Sequence, residues 1–451
     1  MSHVTGDVAE RLADGFTQSK VFAMQTSHKS SSTIVQELRD FLHATENADF
    51  KKDFEASFVA ALHSGVREFE DYSIRTLADY LDWYEYLLGW VPSEQQDGQF
   101  VYHVICLFYF VMNLDPLQAR CSPVLPATRA PYTWLSQWVI RYAKEVGKFM
   151  DTPESITPYT MATFCHAPSY RMEDYPVPEG GWKTFNEFFA RHIDPAKRPI
   201  DSPNTDSIIV SPADAVFDGA WEVNDSCECH FAVKGVPWPI CELLDDEHSG
   251  TSYAETFARG QFCHAFLGPN DYHRQHAPVS GKVLEARVIE GLCYLHVTTK
   301  QDASGRMTIA PHRRLFRLRH KVHHRGEHHN TEHAHRTKAE HAPVVVTMEA
   351  PDEPGYQFIQ ARALILIETK DMGLVAVLPI GMAHISSVLL SVKAGDVVKK
   401  GDELAYFHFG GSDVVMVFQE QAGIQFTAEV GTHYNVGQKI AVSHNGLKQG
   451  A

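Results

Sequence analysis

Gly401-Asp402-Glu403-Leu404-Ala405-Tyr406-Phe407-His408-Phe409-Gly410-Gly411-Ser412-Asp413-Val414-Val415-Met416 reads as a strand rich in aromatics, two glycines with a serine, and a second apolar strand. Glycines admit backbone conformations closed to other residues, so a strained peptide bond beside the Ser412 hydroxyl is feasible here. An ordinary hairpin turn would use the same residues. Outward from this stretch the β texture continues in Ile208-Ile209-Val210, Lys282-Val283-Leu284-Glu285-Ala286-Arg287-Val288, Ala363-Leu364-Ile365-Leu366-Ile367 and Leu374-Val375-Ala376-Val377-Leu378. Gly, Pro and Asp turns separate these short runs, the signature of a β-sandwich or barrel-like domain.

The first half has another rhythm. Ile34, Leu38 and Leu42, then Phe54, Phe58 and Leu62, recur at four-residue spacing, with Ser73, Thr76, Asp79 and Pro92 as helix starts and stops. A chain of 451 residues exceeds what one core usually serves, so an α+β protein of two parts is expected. Residues 1–31 are polar and read as a mobile terminus, residues 32–155 as a helical N-terminal domain, and residues 156–200 as a connection carrying one short helix. In that helix Thr184 is the N-cap and Glu187 the other half of a capping box. Residues 201–451 are then the β-rich domain. Within it, residues 312–341 hold nine of the 26 histidines, eight Arg or Lys and three Glu. Such a run cannot bury a core and reads as a solvated insertion. Its histidines keep no fixed ligand spacing.

Composition narrows the function classes. Hydrophobic residues make up 44%, and Lys+Arg 40 against Asp+Glu 56 leaves a formal charge of −16, which gives no reason to bind nucleic acid or anionic lipid. The eight cysteines are scattered, and no charged and apolar leader opens the chain, so reduced thiols in the cytoplasm are expected. Cys227-Glu228-Cys229 lacks a second pair nearby and is a weak zinc signal, so no metal is expected. The most apolar stretch, from Val101 to Met112, is about a dozen residues long against the about twenty of a spanning helix, and reads as a buried core helix.

Reactive groups gather in three places. Ser211-Pro212-Ala213-Asp214-Ala215 puts a carboxylate on a tight turn after a strand. Leu267-Gly268-Pro269-Asn270-Asp271-Tyr272-His273-Arg274-Gln275-His276-Ala277-Pro278-Val279-Ser280-Gly281 packs two imidazoles, a guanidinium and a phenol between Pro and Gly. Histidine can move a proton at neutral pH, although a hydrogen-bonded surface turn would account for a pair three apart. The third is the Gly410-Gly411-Ser412 junction. In this order, and preceded by Phe185-Asn186-Glu187-Phe188-Phe189 and Arg198-Pro199-Ile200-Asp201, the segments resemble the phosphatidylserine decarboxylase family over about residues 180 to 440.

The resemblance implies a β-rich pyruvoyl-dependent decarboxylase domain, self-cleaved between Gly411 and Ser412, with residues 412–451 as the small subunit. Ser412 is then the precursor of the pyruvoyl group, which replaces pyridoxal phosphate as the electron sink. A serine hydroxyl needs a base, so His276 is the candidate base, Asp214 its orienting partner in the manner of a triad, and His273 the group that positions the substrate carboxylate or returns a proton. Departures from the family pattern are Ala215 where a Gly is usual, and Gly410-Gly411-Ser412-Asp413 for the commoner Leu-Gly-Ser-Thr, which sets a carboxylate beside the future pyruvoyl. The helical half, Phe407-His408-Phe409-Gly410-Gly411-Ser412 and Ile380-Gly381-Met382-Ala383-His384-Ile385-Ser386 look like the soluble fungal branch of that family, which includes an L-tryptophan decarboxylase. A free aromatic amino acid is therefore the expected substrate and phosphatidylserine the alternative, with the processed subunits, and by resemblance a homodimer, as the assembly. Two other classes stay open. An unprocessed binding or scaffold protein would remain a single species, and a metal-dependent hydrolase would lose activity with chelator, though no H-E-x-x-H set is present.

Overall fold

The computed structural model describes residues 32–125, 128–226, 228–230, 237–244, 253–302, 304–311, 358–382 and 387–445. The expected mobile terminus (1–31), the His-rich segment (312–341), Cys227, the Cys229 side chain and residues 383–386 lie outside them.

Helices form where the sequence repeats every three to four residues. In Thr33–His43 the buried face is Ile34, Val35, Leu38 and Leu42, and the Ser32 side chain caps the first turn by accepting from the Val35 N–H. Ala48–His63 buries Phe50, Phe54 and Phe58, and Leu77–Leu87 opens on a complete capping box between Thr76 and Asp79. The box expected at Thr184 is half made: Thr184 accepts from the Glu187 N–H, while the Glu187 carboxylate reaches one residue further back to the Lys183 N–H. The apolar run becomes the helix Phe100–Phe110, almost wholly buried, and no described helix is long and apolar enough to cross a membrane. This helix packs on the hairpin Val297–Gln301/Met307–Pro311. The buried Glu68 adds to that junction by accepting from the Thr308 hydroxyl and the Ile309 N–H, and burial raises its pKa.

The second half is built on antiparallel sheets. The largest has eight strands in the order Val397–Val398, Gly281–Ile289, Arg362–Glu368, Leu374–Met382, Gly411–Phe418, Gln261–Leu267, Ala215–Glu222 and His433–Tyr434. Its central strands are buried on both faces, which is why they read as continuous apolar runs. Ala363, Ile365, Ile367, Val375, Val377, Val414, Met416 and Phe418 join the core that reaches into the helices. Leu364, Leu366, Ala376, Leu378, Ile380, Val415 and Val417 face a second core with Trp238, Tyr253 and Phe262. Each such Val, Leu, Ile, Met or Phe side chain contributes about 1.5–3 kcal/mol on leaving water.

Two features of this topology place Ser412. Its strand lies inside the sheet, with Gly381 opposite on one side and Leu267 on the other. The aromatic strand Glu403–Phe407 belongs to a different sheet, between Val388–Leu390 and Arg274–His276. Residues 408–410 therefore carry the chain from one sheet to another, and the ordinary hairpin is excluded because its two arms pair with other strands.

Candidate active site

Ser412 is fully buried. Its hydroxyl lies 3.3 Å from Nδ1 of His273, itself fully buried, and Nε2 of the same ring lies 3.3 Å from the Pro269 carbonyl oxygen. A carbonyl can only accept, so Nε2 carries the hydrogen of the neutral ring and Nδ1 presents its lone pair to Ser412. The Phe189 ring stacks on the imidazole at 3.9 Å between centroids and 18° between planes. Burial pushes the His273 pKa down to about 3, and the Arg191 guanidinium adds to the effect. The ring is therefore neutral at physiological pH.

The residues before Ser412 are fixed from the connection. Asn186 accepts from the Phe409 N–H at 2.9 Å and donates to Asp151 at 2.8 Å. The Phe409 ring meets Phe185 at 5.2 Å, Phe189 at 5.6 Å and Trp90 of the helical half at 6.1 Å. The loop holding His273 is tied to the aromatic strand by the Phe407 N–H donating to the His273 carbonyl, and by Arg274 gripping both carboxylate oxygens of Glu403 at 2.8 and 2.9 Å.

The other residues expected at the site are close in sequence or order, but their bonds run elsewhere. His276 uses Nδ1 on the Gly401 carbonyl at 2.7 Å and Nε2 on the Tyr272 hydroxyl at 3.0 Å. Both ring nitrogens are thus engaged away from Ser412, and burial lowers the ring's pKa. Asp214, fully buried, accepts from Arg198 Nε at 2.9 Å and Nη2 at 2.5 Å, from Arg171 at 3.1 Å, and from the Val436 N–H at 2.8 Å. Burial works against the Arg198 charge, but its bonds to Asp214 more than offset that and raise its pKa. The expected order Asp214, His276, Ser412 is thus not the order of contacts. Asp214 ties Arg198 and Arg171 to the C-terminal segment, and the imidazole at the hydroxyl is His273.

Asp413 is a second correction. Successive residues of a strand face opposite sides of the sheet. Asp413 therefore points away from the Ser412 face, and its Oδ1 lies 3.2 Å from His264 Nε2. Among the described residues no group of three or more His, Cys, Asp or Glu is placed to hold a metal ion. Sequence reading gave no role to Asn186, Phe189, Arg198 or His264. The first three lie in the two motifs that precede the β-rich half, which was the available signal for them, whereas nothing marked His264.

A serine hydroxyl facing an imidazole lone pair, after a glycine that has no side chain to shield its carbonyl, fits the precursor of a pyruvoyl group. The phosphatidylserine decarboxylase family model matches residues 185–442, more than half of the chain. The decarboxylase iboD of Amanita muscaria is 29% identical over 282 residues, covering 61% of this chain and 70% of that protein. Phosphatidylserine decarboxylase proenzyme 3 of Schizosaccharomyces pombe is 30% identical over 248 residues, 55% of this chain but only 20% of that much longer protein. The phosphatidylserine decarboxylase proenzyme of Fusobacterium nucleatum is 26% identical over 287 residues, 64% of this chain and 74% of its own length. With Asp214, His273, His276 and Ser412 all inside the matched region, the chain belongs to the phosphatidylserine decarboxylase family, carboxy-lyases whose pyruvoyl group forms from a serine by self-cleavage.

Proposed function

We propose that this chain cuts itself between Gly411 and Ser412 and then releases CO2 from a free aromatic L-amino acid such as L-tryptophan, giving the amine. The observation that carries the reading is the contact between His273 Nδ1 and the Ser412 hydroxyl. In the first step His273 takes the hydroxyl proton as Oγ attacks the Gly411 carbonyl carbon. The Gly411–Ser412 C–N bond breaks, the proton passes to the freed amine, and an ester remains. Loss of the Ser412 α-proton then expels the Gly411 carboxylate and leaves a dehydroalanine, which takes up water and releases ammonia to become the pyruvoyl group. A base of such low pKa accepts a proton slowly. One turnover per molecule tolerates that.

Once formed, the pyruvoyl ketone would supply an electrophile for the substrate amine and a sink for the electron pair released as CO2 leaves. For that reaction Phe189 and Pro269 hold the His273 ring in place, and Nδ1, bare at rest, can relay a proton taken from the substrate ammonium to the carbon that lost its carboxylate. Asn186 and the cluster of Trp90, Phe185 and Phe409 fix the backbone leading to residue 412. The likeness to iboD, a decarboxylase not named for phosphatidylserine, supports a substrate other than the phospholipid, and the resemblance to the fungal branch makes that a free aromatic amino acid. The proenzyme relatives named for phosphatidylserine favour the second reading, phosphatidylserine turned into phosphatidylethanolamine. Incubation with L-tryptophan, L-tyrosine, L-phenylalanine and dispersed phosphatidylserine separates the two, since turnover of the phospholipid alone defeats the first. A cytoplasmic location and a homodimer are parts of the same proposal, tested by cell fractionation and by light scattering.

A further inference from the structure

The cut creates a mechanical problem that the sheet has to solve. Before cleavage, residue 412 is held covalently on both sides within the strand Gly411–Phe418. Afterwards it is a chain end, without its nitrogen and without its tether to Gly411, and strand ends fray. The reactive ketone has to stay in place to within a fraction of an ångström. Asp413 is the first residue behind it with a side chain on the small chain, and that side chain leaves the sheet on the face opposite to residue 412. There His264 Nε2 lies 3.2 Å from Asp413 Oδ1, and His264 Nδ1 lies 2.8 Å from Asp218 Oδ2. Asp413 is fully buried and His264 nearly so. His264 comes from the neighbouring strand Gln261–Leu267, and Asp218 from the next, Ala215–Glu222, at the irregularity between Phe217 and Gly219. Burial alone would strip the imidazole of its proton, but Asp413 and Asp218 outweigh it and raise the His264 pKa to about 9. An imidazolium donates from both nitrogens and so joins the two carboxylates across three strands.

We propose that the Asp413–His264–Asp218 bridge anchors the new end of the small chain, and with it the pyruvoyl group at residue 412, in the sheet after self-cleavage. The proposal rests on the reading that the cut falls between Gly411 and Ser412. It gives a purpose to the Asp413 that stands where the commoner family run has threonine. Asp413, His264 and Asp218 are positioning residues, since they act through residue 412 from behind the sheet.

The test uses full-length wild type, Asp413→Asn and Asp218→Asn, with the cut read by intact mass and the ketone by phenylhydrazine capture, followed as hydrazone absorbance and as the mass shift of the small chain. Deuterium uptake by the small chain's first peptide is measured in parallel. Both variants are expected to cut, because the proenzyme holds residue 412 covalently. Capture in Asp413→Asn is expected to be about tenfold faster than in wild type or more, the loss of a hydrogen bond to a charged group, with Asp218→Asn between them. Faster deuterium uptake is expected at residues 413–415 and unchanged uptake in the rest of the sheet. Cut Asp413→Asn captured at the wild-type rate overturns the anchor. Should Asp413→Asn stay uncut, Asp218→Asn decides by the same rate, and failure of both to cut overturns the anchor in favour of a role in the proenzyme. Wild type that remains a single 50.7 kDa species without hydrazone defeats the self-cleavage reading itself, and the anchor with it.

Discussion

Replacing His273 tests the centre of the reading. The ring makes three interactions that can be valued separately: Nδ1 on the Ser412 hydroxyl, Nε2 on the Pro269 carbonyl, and the stack on Phe189. Removing a positioned base lowers a rate by about 10²–10⁴-fold. The lost stack costs about 1 kcal/mol and the orphaned carbonyl about 1–3 kcal/mol of stability. His273→Ala is therefore expected to fold with a loss of a few kcal/mol, to stay mostly at full length, and to lose at least about a hundredfold in turnover once any cut material forms. Purified proenzyme followed by intact mass over time gives the first rate, and CO2 release from L-tryptophan and from dispersed phosphatidylserine gives the second. His276→Ala is the control, because its ring bonds only Tyr272 and Gly401 in the contacts around the site. It is expected to lower stability by about 1–3 kcal/mol and to cut. Cleavage of His273→Ala at the wild-type pace, with His276→Ala blocked, would refute the assignment and return the base to His276.

Ser412→Ala is expected to remain one chain of 50.7 kDa with an unchanged circular dichroism spectrum and no decarboxylation; two chains on a denaturing gel would place the cut elsewhere. Asp214→Asn leaves the buried Arg198 with Asp174, at 3.3 Å, as its remaining carboxylate and should cost about 1–3 kcal/mol in urea unfolding, whereas an unchanged midpoint would show the cluster to be incidental. Two histidines give stability an optimum in pH. His264, raised to about 9, keeps a proton that an unfolded histidine releases near 6.5, so its contribution is complete below about 6.5 and lost as pH rises through about 9. His273, lowered to about 3, binds fewer protons folded than unfolded, so stability falls as pH drops from about 6.5 towards 3. Melting temperature should peak near pH 6.5, and His264→Gln should flatten the alkaline side; an unchanged alkaline slope in that variant would contradict the shift.

Much of this was legible in the residues. Periodicity at Ile34, Leu38 and Leu42 and at Phe54 and Phe58 marked real helices, and the apolar runs at 363–367 and 374–378 are central strands. The order of motifs led to Asp214, the two histidines and Ser412. Which imidazole meets the hydroxyl was not legible, because it depends on the turn at Pro269 and on how the strand Arg274–His276 pairs with Glu403–Phe407. Both are tertiary facts. The side taken by Asp413 could have been read from the two-residue period of a strand. The likeness to a short run of family residues led instead to placing it beside Ser412. The Gly410-Gly411 pair looked like a hairpin because local sequence cannot say whether two successive strands pair with each other.

The position of the strand Gly411–Phe418 bears on the lifetime of the molecule. It is flanked by a strand on each side, and the segments after it are woven in as well, Ile424–Phe426 and Lys439–Ser443 into a three-stranded sheet and His433–Tyr434 at the edge of the same eight-stranded one. A piece so enclosed cannot be withdrawn and replaced without unfolding its surroundings. A prosthetic group made from such a strand is therefore issued once. If its ketone is reduced or captured, no free pool can restore it, and the activity of a cell would be renewed only as fast as ribosomes make new chains.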